Sequence, residues 1–280
     1  MQPLVSVDWL REHLDDPAVV ILEVSTEREP TARYFREGHI PGAHFAWWKT
    51  LCWDEADREF PPPEEMTRRL RALGVSDDSH LVLVGDPIQF ATYPYWALAL
   101  SGLDHVASVL DGGRALWASR GLPLTSEAPP PPAPGTVTPR GAGEPARVGR
   151  DDVRAHLGDP ERVLVDMRTD EEFSGERVSP ATSPFDHGAE RAGRIPGAKH
   201  LYFERLLDGE GRFLGADGIG EQLSSVGATP DADVVTYCRL SHRASLGWFA
   251  ATRLLGWSNV RVYDGSWTEW GSIVGFPVER

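Results

Sequence analysis

The chain has 280 residues, of which 41% are hydrophobic, so it can bury a sizeable core and is expected to form about two domains. Its 28 basic and 42 acidic residues give a net charge of −14, which argues against nucleic acid or an anionic membrane as a partner. The two cysteines are 186 positions apart and provide neither a disulfide framework nor a zinc cluster, so no metal or cofactor is predicted.

The amino-terminal residues, MQPLVSVDWL, contain no charged segment followed by an apolar core. No run of about 18 apolar residues occurs anywhere along the chain. The sequence therefore predicts a cytoplasmic protein without a membrane partner, and we expect it to act as a monomer.

An internal repeat organises the chain. A helical pattern in residues 6–14 and the strand pattern VVILEV in residues 19–24 recur within residues 149–168, at a constant offset of 143. Further matches are GHIPGA (38–43) with GRIPGA (193–198), and LDGG (110–113) with YDGS (263–266). Because short strands alternate with helical segments in both copies, we predict an α/β fold of two tandem domains, each a parallel sheet flanked by helices.

We place the first domain at residues 1–127, a linker at 128–146 and the second domain at 147–280. The linker sequence, APPPPAPGTVTPRGAGEPA, contains seven prolines, which exclude the interior of a helix or a strand. We expect an extended, polyproline-like segment of about 3.1 Å per residue that can run across a whole domain. Its three glycines leave a flexible spacer as the alternative.

A strand, a cysteine and a helix follow one another in the second copy. The apolar, β-branched run of residues 234–237 leads into Cys238, and an Ala- and Leu-rich helical pattern begins within about five residues. The loop between them is cationic and contains no acid, so its backbone N–H groups and the helix dipole are expected to bind an anion. These charges favour a thiolate and make Cys238 the candidate nucleophile. The alternative is a small, buried cysteine at a strand end.

The predicted anion-binding residues are the five that follow the cysteine: Arg239, Leu240, Ser241, His242 and Arg243. Arg239 and Arg243 are the candidates for gripping a tetrahedral oxyanion, because a planar guanidinium group presents paired donors. His242 either points to solvent or tunes the thiolate.

The first copy lacks the nucleophile. Aligned at an offset of 152, the segment LVLVGD (81–86) matches the strand before the loop, and Asp86 takes the place of Cys238. A carboxylate can neither attack sulfur nor fit an anion site, so the first domain is predicted to be catalytically inactive. The other cysteine, Cys52, is predicted to be structural. Phe90 and Tyr93 are candidates for pocket walls, with core packing as the alternative.

These features together resemble a known family. The strand, cysteine, loop and helix, the segment YFREGHIPGA (34–43) and the segment VRVYDGSWTEW (260–270) are similar to the nucleophile loop and two signatures of tandem-domain rhodaneses, most like bacterial thiosulfate sulfurtransferases. The resemblance covers essentially the whole chain and implies an inactive first domain and a catalytic second one. The chain also departs from the family, since Ser241 and Arg243 stand where many of these loops have glycine and threonine, and Arg194 replaces the histidine of the second signature.

The resemblance implies that the thiolate takes the outer sulfur of thiosulfate, releases sulfite, and passes the sulfur from a Cys238 persulfide to cyanide or a thiol. The alternatives are a 3-mercaptopyruvate sulfurtransferase and a persulfide carrier without turnover. Glu172 is expected to disfavour mercaptopyruvate because its charge repels a carboxylate. A cysteine phosphatase or arsenate reductase is disfavoured, since those enzymes have arginine at the sixth position after the cysteine and this chain has Ala244.

Three further polar residues are expected to be structural. His39 lies in the first signature, where Pro-Gly-Ala forms a turn between elements. Asp166 and Arg168 end a strand, where a local ion pair is expected rather than a catalytic role.

Overall fold

The computed structural model describes residues 1–28, 36–54, 56–141, 143–180 and 188–280. Residues 34 and 35 of the first predicted signature lie outside this part of the chain. Two compact units are present: Met1–Pro145 with Gly209–Arg212, and Ala146–Asp208 with Phe213–Arg280. Within the described residues, no helix combines the length and the hydropathy needed to cross a bilayer.

Each unit contains a parallel sheet of five strands. The strands of the first unit are β1 (Leu4–Val5), β2 (Val19–Ser25), β3 (His44–Trp47), β4 (His80–Gly85) and β5 (Ala107–Leu110). Those of the second unit are β6 (Arg147–Val148), β7 (Arg162–Asp166), β8 (Lys199–His200), β9 (Asp233–Tyr237) and β10 (Val260–Tyr263). The strand orders, β1-β5-β4-β2-β3 and β6-β10-β9-β7-β8, are the same. The predicted pair of tandem α/β domains is confirmed.

Helices connect the strands in both units, as parallel pairing requires. In the first unit they are α1 (Val7–Glu12), α2 (Trp48–Cys52), α3 (Pro63–Ala72), α4 (Gln89–Leu100) and α5 (Gly113–Ser119). In the second unit they are α6 (Arg150–Ala155), α7 (Asp170–Ser174), α8 (Ala216–Ser225), α9 (His242–Phe249) and α10 (Ser266–Trp270). Helix α9 continues directly into a π-helical turn, Ala250–Leu254.

The central strands are buried on both faces, which explains their continuous apolar sequences. In β4, the five residues after His80 are all buried, and in β9 the four after Asp233 are. Each unit adds a buried tryptophan after its last strand. The indole N–H of Trp117 donates to the carbonyl of Pro123 at 2.8 Å, and that of Trp270 donates to Pro277 at 2.8 Å. The same anchor therefore closes both cores.

The strand register corrects the alignment of the two nucleophile segments. Leu81 pairs with Ala107 in the first unit, and Val234 pairs with Val260 in the second, so both strands correspond at an offset of 153. Helices α4 and α9 begin at the same offset. Gly85, and not Asp86, therefore occupies the position of Cys238. The predicted offset of 152 was wrong by one residue because strand composition alone leaves a one-residue shift undetermined.

The proline-rich segment runs along the first unit as an extended chain. Its described residues carry no helix or strand, and Val137 within it is fully buried. The N–H of Gly135 donates to the carbonyl of Arg71 at 2.7 Å, and that of Arg140 donates to Gly102 at 2.7 Å. At Gly143, a Cβ atom would lie 2.0 Å from a backbone oxygen and φ is +78°, so only glycine fits. These contacts oppose the flexible-spacer alternative.

Two residues predicted to be structural, Cys52 and His39, are buried in the first unit, and so is Tyr93, a candidate pocket wall with core packing as the alternative. Cys52 is fully buried, and burial raises the pKa of its thiol well above the usual range. The backbone of His39 exchanges hydrogen bonds with Thr125, at 2.8 and 2.9 Å. Tyr93 is also fully buried and its hydroxyl accepts a hydrogen bond from the indole of Trp53 at 2.7 Å. Tyr93 is therefore a core residue of the first unit.

Candidate active site

Cys238 lies directly after β9, at the carboxyl edge of the second sheet, where ligands of α/β folds usually bind. Its backbone is held from both sides by the segment after β10. The N–H of Cys238 donates to Oγ of Ser266 at 3.1 Å, and its carbonyl accepts from the N–H of Trp267 at 2.9 Å. The residue is 1% exposed. The nucleophile is thus fixed at the start of the loop that precedes α9.

The loop after Cys238 presents backbone donors. Among the described residues, the N–H groups of Arg239, Leu240, Ser241 and Arg243 have no hydrogen-bond acceptor. The first N–H groups of α9 lack intrahelical acceptors by geometry, and the positive end of the helix dipole lies there. An anion bound beside the sulfur would satisfy these donors. These donors lie within the loop and the first turn of α9, directly after Cys238.

Ser241 gives the loop its shape. Its φ is +70°, a left-handed conformation that non-glycine residues rarely adopt. The strain, of order 1 kcal/mol, is offset by a short hydrogen bond from its hydroxyl to the carbonyl of Asp264. Ser266 also has a positive φ, +52°, and its hydroxyl donates to the carbonyl of Tyr263 at 2.9 Å while accepting from Cys238. Two strained serines therefore flank the nucleophile.

Arg243 is bound to an acid. Its Nη1 donates to Oε2 of Glu172 at 2.6 Å and its Nη2 to Oε1 at 3.0 Å. Glu172 is fully buried and Arg243 is 8% exposed. The guanidinium groups of Arg239 and Arg243, the two candidates for binding an oxyanion, are therefore not equivalent. Arg243 is engaged in this bidentate pair. The expectation that Glu172 acts as an uncompensated negative charge likewise does not match the structure.

Arg239 is differently placed. It is half-buried, and its Nη1 is buried without a hydrogen-bond partner among the described residues. A buried donor without an acceptor costs about 1 to 3 kcal/mol, which an incoming anion can recover. Leu240, also half-buried, adds an apolar side chain beside it. His242 is 7% exposed at the first position of α9, which argues against the alternative that it points to solvent.

A second buried pair lies nearby and is confirmed as structural. Arg168 donates to Oδ2 of Asp166 from Nη2 at 2.6 Å and to the carbonyl of Gly193 at 2.8 Å. Both charged side chains are fully buried. Arg194, which replaces the signature histidine, forms an ion pair with Glu279. These arginines stabilise the second unit and leave Arg239 as the cation of the loop without an acid partner among the described residues.

Sequence reasoning missed Ser266 and Asp264. Both lie in the segment YDGSWTEW, which was used only as a family signature. Ser266 fixes the N–H of the nucleophile, and Asp264 accepts the hydroxyl of Ser241 and forms an ion pair with Arg147 at 2.9 Å. A signal was available in the repeat, since the first copy has Gly113 where the second has Ser266.

The family model described as "Rhodanese-like domain" matches the chain twice, at residues 6–120 and 149–273. The chain is 39% identical to "Sulfur carrier protein TtuD" of Thermus thermophilus, over 99% of this chain and 96% of that protein. It is 38% identical to "Putative thiosulfate sulfurtransferase" of Haloferax volcanii, again over 99% of this chain and 96% of that protein.

Among solved structures, the chain is similar to SseA from Escherichia coli, described as a 3-mercaptopyruvate sulfotransferase. The TM-score is 0.77 with 27% sequence identity, and the match covers 95% of this chain and 99% of that chain. The names of these relatives differ in the sulfur donor or carrier role.

Proposed function

Because this chain belongs to the rhodanese family of sulfurtransferases, we propose that it transfers the outer sulfur of thiosulfate to cyanide or a thiol through a persulfide on Cys238. The observation that carries the proposal is the placement of Cys238 beside four backbone N–H groups without acceptors and one arginine without an acid partner among the described residues. This arrangement suits an anionic donor and an anionic intermediate.

The reaction balances without an added oxidant or cofactor. The Cys238 thiolate attacks the outer sulfur of thiosulfate, a new S–S bond forms, and the S–S bond of thiosulfate breaks with its electron pair leaving on sulfite. Cyanide or a thiolate then attacks the outer sulfur of the persulfide, and the Cys238 thiolate is regenerated. The loop N–H groups and the dipole of α9 stabilise negative charge on sulfur in both states.

Donor choice rests on Arg239 in this proposal. Arg239 is the residue directly after the nucleophile, and its positive charge would attract the doubly charged sulfonate end of thiosulfate. Glu172 does not contribute to the preference for thiosulfate by repelling the carboxylate of mercaptopyruvate, since it forms an ion pair with Arg243. A persulfide carrier, the role in the name of the Thermus thermophilus relative, would share the first step and differ in the acceptor.

Intact-mass spectrometry tests the proposal. Incubation with thiosulfate should add one sulfur atom to Cys238, and cyanide should then remove it. Cys52→Ser is the matched control and should change neither step, because Cys52 is a buried thiol whose pKa is raised by burial. Cys238→Ser should keep the fold and lose sulfur loading. Sulfur loading at Cys52 would contradict the assignment of Cys238 as the nucleophile. A sulfur atom that stays on Cys238 in the presence of small acceptors would favour the carrier role.

A further inference from the structure

Glu172 connects two elements at the second sheet's edge. It is the third residue of α7, and its backbone N–H donates to Oγ1 of Thr169 at 3.3 Å. Its carboxylate accepts the N–H of Thr169 at 3.2 Å, which completes a capping box. The same carboxylate accepts two hydrogen bonds from Arg243 in the first turn of α9. One buried acid therefore fixes a helix start and a loop cation together.

Arg243 of this pair lies five positions after Cys238, in the first turn of α9. Burial by itself lowers the pKa of Arg243, but the hydrogen bonds and charge of Glu172, together with the negative charge of a Cys238 thiolate, raise it above its ordinary range. A buried arginine with no acid beside it would hold an anion at this position strongly.

We propose that Glu172 is a positioning residue that sets the charge of the sulfur-binding loop. It holds Arg243 against α7 and cancels its charge, so that Arg239 supplies the net positive charge for the donor. This inference rests on the proposed sulfur transfer at Cys238. The consequence is a site that binds the thiosulfate dianion and still releases sulfite, since among the described residues Arg239 is the one arginine of the loop without an acid partner.

The first test removes the charge of Glu172 and keeps its shape. In Glu172→Gln the amide oxygen can still accept from Arg243, whose charge is then uncompensated. The pH at which iodoacetamide alkylates Cys238 at half the maximal rate should fall by about one unit. Sulfate should protect Cys238 at a several-fold lower concentration, and sulfite should inhibit turnover more strongly. Glu171→Gln, an exposed neighbour in the same helix, is the charge-matched control and should leave all three measurements unchanged.

A second variant keeps the inference testable if the first does not fold. Glu172→Gln with Arg243→Gln replaces the ion pair by a neutral, hydrogen-bonded pair of similar volume. Its alkylation profile should match that of the wild-type protein, because the pair contributes no net charge. A half-maximal pH raised by about one unit in this double variant would show that Arg243 acts as an uncompensated cation, and would overturn the inference.

Alkylation and sulfate protection do not require sulfur transfer, so the two proposals fail separately. A wild-type protein that takes no sulfur from thiosulfate would contradict the proposed function. A folded Glu172→Gln variant with wild-type alkylation and wild-type sulfate protection would contradict the role of Glu172.

Discussion

The loops after β4 and β9 occupy the same place in two copies of one fold, yet only one of them leaves room for a side chain. At Gly85, a Cβ atom would lie 2.5 Å from the backbone nitrogen of Ala91. At the equivalent position, Cys238 carries its thiol beside an opened loop. The residue immediately before the next helix differs accordingly: Ile88 is right-handed with φ −55°, while Ser241 is left-handed with φ +70°.

The comparison extends to the neighbouring segment. Gly113 of the first unit corresponds to Ser266, and a Cβ atom at Gly113 would lie 2.2 Å from the carbonyl oxygen of Gly85. The first unit therefore packs backbone directly on backbone where the second places a hydroxyl against the N–H of Cys238. The first domain is expected to be inactive because the loop is closed, in addition to lacking a thiol.

The largest expected effect tests this closure. Gly85→Cys restores a thiol at the position that the strand register assigns to Cys238, but its Cβ meets the backbone of Ala91. We expect a loss of about 3 kcal/mol in the free energy of unfolding and no persulfide at residue 85. Calorimetry and intact-mass spectrometry in the Cys238→Ser background measure both effects. Asp86→Cys, one residue away, is the control and should also remain unloaded. A persulfide at residue 85 would show that the first loop can open.

The second prediction concerns position 239, where the first unit has Asp86 instead of arginine. Arg239→Gly should lower kcat/KM for thiosulfate about tenfold to a hundredfold, since it removes a charge-assisted contact worth about 1.5 to 3 kcal/mol. The same substitution should also reduce the ratio of kcat/KM for thiosulfate to kcat/KM for 3-mercaptopyruvate. Steady-state kinetics with both donors measure this. An unchanged donor ratio, or a wild-type preference for mercaptopyruvate, would refute the role of Arg239.

The two units also differ in the surroundings of an acid on the strand next to the one that precedes the loop. Asp166 of β7 is paired with Arg168, whereas its counterpart Glu23 of β2 has Ser25 in place of that arginine. Burial raises the pKa of Glu23 to about 7, although the N–H of Ile40, a hydrogen-bond donor at 2.7 Å, and the charge of Arg114 lower it; Asp86 adds a smaller upward contribution.

This difference predicts a pH-dependent stability. A carboxyl whose pKa is raised by folding contributes stability below its unfolded pKa, near 4.5, and that stability is lost as the pH rises through about 7. From pH 5 to pH 8 the loss should be about 2 kcal/mol, measured by urea unfolding, and Glu23→Gln should remove most of it. Glu64→Gln, on the exposed surface of α3, is the control. An equal pH dependence in the Glu23→Gln protein would assign the effect to other groups.

Sequence patterns predicted the tandem fold and the loop after Cys238, because apolar strand runs and repeated turn motifs are local signals. They did not predict the pairing of Arg243 with Glu172, because these residues lie 71 positions apart and meet only in the folded second unit. The one-residue alignment error at Asp86 has a similar origin. Hydrogen-bond register between strands fixes that position, and residue composition does not.

The smallest expected effect isolates the left-handed residue that distinguishes the two loops. Ser241→Gly removes the hydrogen bond to Asp264 but also the strain of a positive φ, so the two changes should nearly cancel in the free energy of unfolding. Ser241→Ala loses the same hydrogen bond and keeps the strain, and should be less stable than the glycine variant by about 1 kcal/mol. Both variants lack the hydroxyl, so their difference reports the cost of a Cβ atom at positive φ, reduced by the greater freedom of glycine in the unfolded chain. Thermal unfolding of the two variants, with sulfur loading of Cys238 as the check on loop shape, provides the comparison. If the alanine variant were the more stable of the two, φ at residue 241 would not be left-handed in the folded protein, and the account of why only the second loop is open would fail.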